Sequence, residues 1–419
     1  MATSGDPPVR PPSGGLLRRV PAFRALWLAR AVSYTGDGIS QVAIVLLVSR
    51  AGPLAVGLAL LANALPRLLG PLAGAVADRV ERRRVMVACQ LAQVMVMGSL
   101  AVLPSTLPAL LALSALAGLL ATVFGPAARS AVPSLVADGD LGRANAMLGS
   151  ALNLQVVLGP ALGGLLVLRG GPRAAFAVDA LSFAVSAALL ARLPRLAPGR
   201  SGAGRPAGGR SPGLLADTLG GLRYLAHSRV PRALAVGLLL VVAFAAVDNV
   251  ALVFLVGDVL GGDARDYGGV QAAYGLGMLA ASAALSWLFA NRSPLALLAA
   301  GIVATGAGTL LTGLAPALGL AALWQALAGA GNAVEVIAND TAVQRFVPRH
   351  LQGRVFGAIG AAAPTGSVVA YAAGGPLLAA TSPRTVFAVA AAGVFSALLA
   401  LLPLLHQAPG QASDAPAPT

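Results

Sequence analysis

Six ionisable side chains lie inside long apolar stretches of the sequence, where a charge is costly. A charged group at the centre of a bilayer costs about 2.5 to 3.5 kcal/mol, so such groups usually have a partner or a function. A carboxyl group away from water favours its neutral form, whereas an adjacent arginine favours the ionised form, so an acid and an arginine that move apart can exchange a proton. The six residues are Arg30, Asp37, Arg67, Asp179, Asp248 and Glu335. We expect Asp179 near the surface of the membrane, where water reaches it.

Helix geometry predicts which of these groups meet. A rise of 1.5 Å per residue places Asp37 roughly 20 Å and Arg67 roughly 15 Å from one membrane surface, on consecutive helices. We predict that Asp37 carries a coupled proton and that Arg30 or Arg67 tunes it. Asp248 or Glu335 is expected to contribute in the second half of the chain. The alternative is a static ion pair that fixes helix packing.

A small set of polar and amphipathic side chains is predicted to line a central cavity. These residues are Tyr34, Asn153, Gln155, Asn249, Trp324 and Asn332. Polar groups set within walls of alanine, leucine and valine suit a bulky, largely apolar substrate better than a sugar or a phosphate, which needs several fixed donors. Polar side chains in membrane bundles also simply bond neighbouring helices, and that reading stays open.

Twelve apolar stretches must position these groups. Each has about the 20 residues that cross a hydrocarbon core. The stretches are 24–49, 55–77, 85–103, 107–124, 144–168, 174–193, 233–257, 267–290, 295–315, 317–338, 354–380 and 386–405. The chain is 57% hydrophobic and 11% charged, with a mean hydropathy of +0.80, far from the roughly 25% charged residues of a soluble domain. Lipid is therefore the expected solvent.

The arginines predict the orientation of the chain. All 29 basic residues are arginine, and twenty-two of them lie in the segments on one side of the twelve stretches. Positive residues mark the cytoplasmic side, so both termini are predicted to be cytoplasmic. The net charge of +14 is then expected to attract anionic lipid headgroups rather than nucleic acid. No removable signal peptide is apparent, and the lone Cys89 excludes a disulfide within the chain.

The chain divides into two similar halves. A segment rich in proline, glycine and arginine interrupts the apolar pattern, and a shift of 211 positions places Asp37 on Asp248 and Gly163-Gly164 on Gly374-Gly375. Parallel repeats related by an axis along the membrane normal are typical of one class of transporter. The predicted divisions are a tail (1–23), a six-helix bundle (24–193), a cytoplasmic linker (194–222), a second bundle (223–406) and a tail (407–419).

The segment between the second and third stretches resembles the signature of the major facilitator superfamily. It reads Gly74-Ala-Val-Ala-Asp78-Arg79-Val-Glu81-Arg82-Arg83-Arg84. The resemblance implies that its glycine allows close helix approach and that its charges form a cytoplasmic gate. The matching residues are Gly74, Asp78, Arg79, Arg82 and Arg83. Glu81 replaces the usual glycine, as in the drug and siderophore efflux branch that includes macrolide and enterobactin exporters. The plainer reading is an anchor for topology alone.

A second motif lies in the fifth stretch. Gly159-Pro160-Ala161-Leu162-Gly163-Gly164 is similar to the core of the motif found in major facilitator antiporters, and the resemblance implies export. Proline removes a backbone hydrogen bond and glycines permit a close helix crossing, so packing alone is the alternative. Two departures qualify the resemblance. The upstream glycines of that motif are replaced, and the fourth stretch lacks the intramembrane arginine of many proton antiporters.

Several chemistries are excluded. With no lysine there is no nucleotide-binding P-loop, and no nucleophile elbow or zinc-binding His-Glu-x-x-His sequence occurs. His227, His350 and His406 are too scattered for a metal site. No catalytic residue, metal or cofactor is therefore expected.

These features predict an all-α membrane protein with twelve transmembrane helices in two pseudo-symmetric six-helix bundles, the major facilitator fold. Its expected function is export of a hydrophobic or amphiphilic small molecule, of the drug or siderophore class, by proton antiport with alternating access. A proton-coupled importer or facilitator of the same fold, or a non-transporting receptor or scaffold, remains an alternative. The expected setting is the bacterial inner membrane, with the substrate, protons and anionic lipids as partners and the protein a monomer.

Overall fold

The computed structural model is helical throughout the part of the chain that it describes. The described residues are 15–70, 73, 79–103, 106–196, 228–288 and 292–405. Within them the chain forms twelve helices, α1 (Pro21–Val48), α2 (Pro53–Ala64), α3 (Arg82–Val102), α4 (Leu107–Ala131), α5 (141–170), α6 (172–191), α7 (Arg229–Ala245 and Asp248–Phe254), α8 (Ala264–Leu288), α9 (Pro294–Leu314), α10 (Leu318–Phe346), α11 (Arg349–Ala380) and α12 (Pro383–Leu405). The described parts of the twelve predicted stretches are thus largely helical, and a further helical turn, Leu16–Arg19, precedes α1.

Eight helices in the described ranges are long and apolar enough to cross a membrane. One of these eight, with 54 residues, is the pair α5 and α6 together with the turn before them. The pair is separated at Gly171, whose φ of 71° and ψ of 176° are not helical. Only glycine adopts such a conformation without a steric penalty, and Pro172 then starts α6 with a φ suited to a first turn. Helix α2 continues as a 3₁₀ segment, Leu65–Leu69.

The helices end at two opposite faces, which differ in charge. The arginine-rich face bears the ends at Pro21, Leu69, Arg82, Ala131, Leu141 and Ala191, together with their counterparts in α7–α12. The arginine-poor face bears the connections at Gly52, Gly171, Gly261 and Thr381. The predicted linker at 194–222 lies mostly outside the described residues, so the division into two domains stays a prediction.

Glycines set the closest approaches within each half. Helix α1 packs along α5 and α6, and α9 packs against α10 and α12. A Cβ added to Gly38 of α1 would lie 2.8 Å from the Cα of Gly159 on α5, and one added to Gly301 of α9 would lie 2.9 Å from the backbone nitrogen of Glu335 on α10. Close backbone contact of this kind replaces hydrophobic driving force in lipid.

Among the described residues the two halves pack closely through α2 with α11 and α5 with α8, from the arginine-poor face to the middle of the bundle, where a Cβ on Gly275 would lie 2.7 Å from the carbonyl carbon of Val156. A Cβ on Gly57 would lie 3.0 Å from the Cα of Gly375, and one on Gly268 would lie 3.0 Å from the Cα of Gly164. The interior therefore closes toward this face, while a cavity extends to Gly70 and Arg129 near the arginine-rich ends of α2 and α4. Among the described residues, the cavity lining thus reaches toward the arginine-rich face.

Candidate functional site

Two adjoining cavities occupy the interior of the bundle. The central cavity, about 400 Å³, lies between the halves and is lined by α1, α2, α5 and α7–α11. The first-half cavity, about 550 Å³, is lined by α1–α5. Both are lined by Gln41, Leu60, Asn63, Arg67 and Gln155, so they form one continuous space. Together their size suits a small organic molecule.

Asp37 lies in the first-half cavity beside a second acid. Asp37 and Arg67 line this cavity, and Asp179 of α6 is close enough to Asp37 to interact electrostatically with it. The hydroxyl of Ser182 donates a hydrogen bond of 3.0 Å to Oδ1 of Asp179. Asp37 and Arg67, which the sequence predicts to face each other across α1 and α2, thus line the same cavity.

The expected exposure of Asp179 to water is wrong. Asp179 is 0% exposed, and its Oδ2 has no hydrogen-bond partner. The physical reason is the close approach of α1 and α6 at Gly36, where an added Cβ would lie 2.9 Å from the Cβ of Ser182. Depth along the helix suggested access to water, but the packing of the neighbouring helix removes it. Two carboxyl groups therefore share one buried environment.

The two arginines proposed to tune Asp37 are placed differently. Arg67 is exposed to the cavity and its Nη2 donates a 3.1 Å hydrogen bond to Oδ1 of Asn63. Arg30 is only 6% exposed; it donates a hydrogen bond to the hydroxyl of Tyr34 and stacks 4.9 Å from the centre of that ring. Nε and Nη1 of Arg30 have no partner. Of these two arginines, Arg67 is thus the one that lines the cavity with Asp37, and Arg129 of α4 lines it as well.

The two acids of the second half also differ in place. Asp248 lines the central cavity at the start of the second segment of α7. Glu335 is 2% exposed and packs against Gly301 of α9, with Thr305 as a neighbour. Glu335 does not line either cavity, so Asp248 is the acid of this half that a substrate would meet.

The predicted cavity residues divide in the same way. Tyr34 lines the first-half cavity, Gln155 lines both, and Asn249 and Asn332 line the central one. Asn153 and Trp324 lie outside both cavities. Sequence reasoning missed nine polar lining residues of the central cavity, namely Gln41, Asn63, Tyr267, Gln271, Tyr274, Thr305, Thr309, Gln325 and Tyr371. The tyrosines could have been found, because an amphipathic ring amid apolar residues needs a partner for its hydroxyl.

The arginines of the first motif bind within the first half. Arg82 donates to Ser134 Oγ at 3.2 Å and Arg83 donates to the Leu193 carbonyl at 2.9 Å, which joins α3 to the ends of α4 and α6. Glu81 pairs with Arg84 at 2.7 Å. Arg79 is exposed. The ion pairs among the described residues all lie within the first half, while Gly74 and Asp78 fall outside the described residues.

The second motif joins three helices. Gly159 and Gly163 pack on α1, where added Cβ atoms would lie 2.6 Å from the Cα of Gly38 and 3.1 Å from the Cα of Ile39. On its other side α5 meets α8, because the Cα of Gly268 lies 3.1 Å from the position of a Gly164 Cβ. Pro160 lines the central cavity beside this contact. The motif therefore forms part of the boundary between the halves.

Comparison with known proteins identifies a family of similar sequences. The profile of the transmembrane secretion effector family matches residues 17–370. The MFS-type transporter YfiS of Bacillus subtilis is 29% identical over 374 residues, covering 86% of this chain and 88% of YfiS. The multidrug efflux pump Tap of Mycobacterium tuberculosis is 34% identical over 230 residues, covering 52% of this chain and 53% of Tap. The enterobactin exporter EntS of Escherichia coli is 28% identical over 402 residues, covering 93% and 92%.

Solved structures share the fold at low sequence identity. The nucleoside transporter NupG superposes with a TM-score of 0.74 at 12% identity, covering 91% of this chain and 99% of NupG. A bacterial homologue of the lysosomal transporter Spinster, in an inward-facing and unoccupied conformation, superposes with a TM-score of 0.66 at 15% identity, covering 93% and 95%. These likenesses concern the fold.

Proposed function

The chain belongs to the transmembrane secretion effector family of major facilitator transporters, and on this basis we propose that it exports an amphiphilic small molecule in exchange for protons. One observation supports the proposal: the halves pack closely toward the arginine-poor face, and Asp37 and Arg67 line the same cavity, which adjoins the cavity between the halves. Rocking of the halves about this cavity would expose it to either face in turn.

Direction and orientation follow from charge and from the relatives. The arginine-rich face is cytoplasmic by the positive-inside rule, so the cavity of this conformation loads from the cytoplasm of a bacterial cell, across its inner membrane. Both termini are then cytoplasmic, and the juxtamembrane arginines contact anionic lipids. Tap and EntS bear the names of an efflux pump and an exporter, and the glycine-proline motif of α5 supports the same direction. We propose a monomer as the working unit.

The proton step uses the acids of the first half. A carboxyl group in a low-dielectric site favours its neutral form, more so beside a second carboxyl group, and an adjacent arginine favours the ionised form. Arg67 lies on α2, which contacts the other half through Gly57, whereas Asp37 and Asp179 lie on α1 and α6. Rocking that moves Arg67 relative to Asp37 would therefore bind or release a proton. Asp248 or Glu335 contributes in the second half.

The gate that accompanies this motion lies at the arginine-rich face. Arg82 and Arg83 hold the segment before α3 against the ends of α4 and α6. Arg79 is exposed in the same segment. Closure of the halves on that face would bring Arg79 to the second half, whereas Gly74 and Asp78 of the same motif lie outside the described residues.

The test is proton exchange in inside-out vesicles. A growth screen of an efflux-deficient bacterium against a panel of amphiphilic toxins and siderophores first supplies a substrate. That substrate is then added to energised vesicles and proton release is followed with a pH-sensitive dye. Asp37→Asn is expected to abolish release, while Asp258→Asn, at an exposed position at the arginine-poor end of α7, serves as the matched control. Full substrate-driven proton release by Asp37→Asn removes Asp37 from this role, and uptake that ignores the pH gradient in the unaltered protein refutes antiport.

A further inference from the structure

Tyrosines are concentrated around one acid of the central cavity. The whole chain has only 5 tyrosines, and three of them line this cavity together with Asp248. Tyr267 and Tyr274 lie seven residues apart on α8, and so on one face of it, while Tyr371 approaches from α11. Asp248 is close enough to each of the three tyrosines to interact electrostatically. Such a concentration in an alanine-rich chain requires an explanation.

Asp248, the acid among these tyrosines, has few protein groups near it that would balance a negative charge. Asp248 is 9% exposed and accepts a hydrogen bond from the backbone of Asn249, where α7 is interrupted between Ala245 and Asp248. The ion pairs of the described residues do not include it. A buried carboxylate that lacks a partner is costly, so a positively charged ligand is the group that best completes this site.

The other charges near the tyrosines support this polarity. Glu335 adds a second acid near Tyr274. The nearest basic group is Arg67, which interacts with Tyr371 from the wall of the first half and is held there by Asn63. The wall of the central cavity formed by α7–α11 thus carries acidic and aromatic groups. The basic group of this cavity, Arg67, belongs to the wall formed by the first half.

Aromatic faces and a carboxylate together recognise one chemical class. A cation over an aromatic ring gains about 2 kcal/mol or more when both are out of water, and aromatic cages are the usual receptors of quaternary ammonium groups. The remaining lining of the cavity includes Val42, Leu60, Val156, Val241 and Val242, which offers an apolar surface to the rest of such a ligand. A molecule with one cationic head and an apolar body fits both surfaces.

We infer that Asp248 with Tyr274 and Tyr371 binds the ammonium group of an amphiphilic cationic substrate. The inference rests on the proposed export function, because it names the substrate class of the same cavity. It assigns the contribution of Asp248 to substrate binding and leaves the proton to the acids of the first half. Tyr267 is only 2% exposed and accepts a 3.3 Å hydrogen bond from Gln271 at its hydroxyl, so it packs behind the other two rings.

The experiment measures equilibrium binding, without any gradient, to purified protein in nanodiscs of zwitterionic lipid. Three probes share one skeleton and differ in charge: 4-phenylbutyl-trimethylammonium, 4-phenylbutanol and 4-phenylbutanesulfonate. Calorimetric titrations are corrected with empty nanodiscs. The cation is expected to bind at least about tenfold more tightly than the alcohol, as one desolvated cation–π contact implies, and the sulfonate more weakly than either.

Variants separate the ring faces from the carboxylate. Tyr274→Leu and Asp248→Asn are each expected to weaken binding of the cation about tenfold and to leave the alcohol unchanged, whereas Tyr274→Phe keeps the π-face and stays within about twofold. Phe356→Leu, an equivalent aromatic truncation on α11 away from the cavity, is the control. Size-exclusion profiles verify folding. If Asp248→Asn does not fold, the three-probe comparison on the unaltered protein still decides.

Two outcomes overturn the inference. One is equal affinity of the unaltered protein for the cation and the alcohol, and the other is unchanged affinity for the cation in a folded Asp248→Asn. Neither outcome depends on a proton gradient or on the direction of transport. If the protein prefers the cation but substrate does not drive proton release, antiport is refuted and the cation subsite stands. If substrate drives proton release but the protein does not prefer the cation, the subsite is refuted and antiport stands.

Discussion

The contact between α5 and α8 offers a sharp test of alternating access, because two adjacent glycines of α8 differ in what surrounds them. A Cβ on Gly268 would lie 3.0 Å from the Cα and 3.1 Å from the nitrogen of Gly164, whereas one on Gly269 would meet nothing within 4 Å. Gly268→Ala therefore acts as a wedge between the halves at the arginine-poor face, and Gly269→Ala is its matched control.

The size of the effect follows from those distances. Ordinary van der Waals contacts of a Cβ begin at 3.4 Å, and the atoms facing Gly268 belong to backbone, so a side-chain rotation does not relieve the overlap. Overpacking of this kind costs about 1 to 3 kcal/mol, which corresponds to a shift of roughly 5- to 150-fold in the equilibrium between the closed and the open state of that face. The gain in helix propensity, up to about 1 kcal/mol, is common to both variants.

The assay is pulsed electron spin resonance in nanodiscs. Spin labels are attached through Arg50→Cys and Arg265→Cys, which are exposed at the arginine-poor face on opposite halves, in a Cys89→Ser background. Gly268→Ala is expected to increase the population with the longer distance, and Gly269→Ala to match the unaltered protein. Identical distance distributions for the two glycine variants would show that the halves do not separate at this contact.

Two further substitutions test the packing that positions the site. Gly36→Ala is expected to lower stability by about 1 to 3 kcal/mol and to impair proton exchange, because its Cβ would lie 2.9 Å from the Cβ of Ser182. Thermal unfolding measures the first effect and the vesicle assay the second. The control is Gly98→Ala, whose Cβ meets nothing within 4 Å, and equal melting temperatures of the two variants would contradict the close α1–α6 contact. Gly171→Ala places a Cβ on a residue with a φ of 71° and is expected to lower the free energy of unfolding by about 1 to 2 kcal/mol. Its melting temperature is therefore expected below that of the control Gly139→Ala, and equal melting temperatures would show that the α5–α6 connection has a different backbone conformation.

Most of the cavity residues that sequence reasoning missed or misplaced depend on which side of each helix faces the cavity. Trp324 and Asn153 were expected in the cavity and lie outside it, while Tyr274 and Tyr371 line it. In a soluble protein the apolar stripe of a helix points to the core, but in a membrane the lipid-facing and buried sides are both apolar. Hydropathy therefore predicts where a helix runs and carries little information about which side faces the cavity.

Asp179 illustrates a second limit. Its position along α6 follows from the sequence, yet its exposure depends on Gly36 in α1, more than 140 positions away. Only the close contact of these two helices makes it a neighbour of Asp37. The signature arginines, in contrast, could be placed at a helix end from the sequence, because their position depends on the adjacent apolar stretch alone.

The sequence by itself determined the twelve helices, their order and the face on which the arginines gather, because insertion of each segment in lipid depends on local hydropathy and flanking charge. The tertiary structure alone decided that Asp37 lies beside Asp179 and that Asp248 lies among tyrosines. These contacts depend on small residues that let neighbouring backbones approach closely, as Gly38 and Gly159 do. Whether two helix surfaces fit together depends on both helices, so it does not follow from the sequence of either one alone.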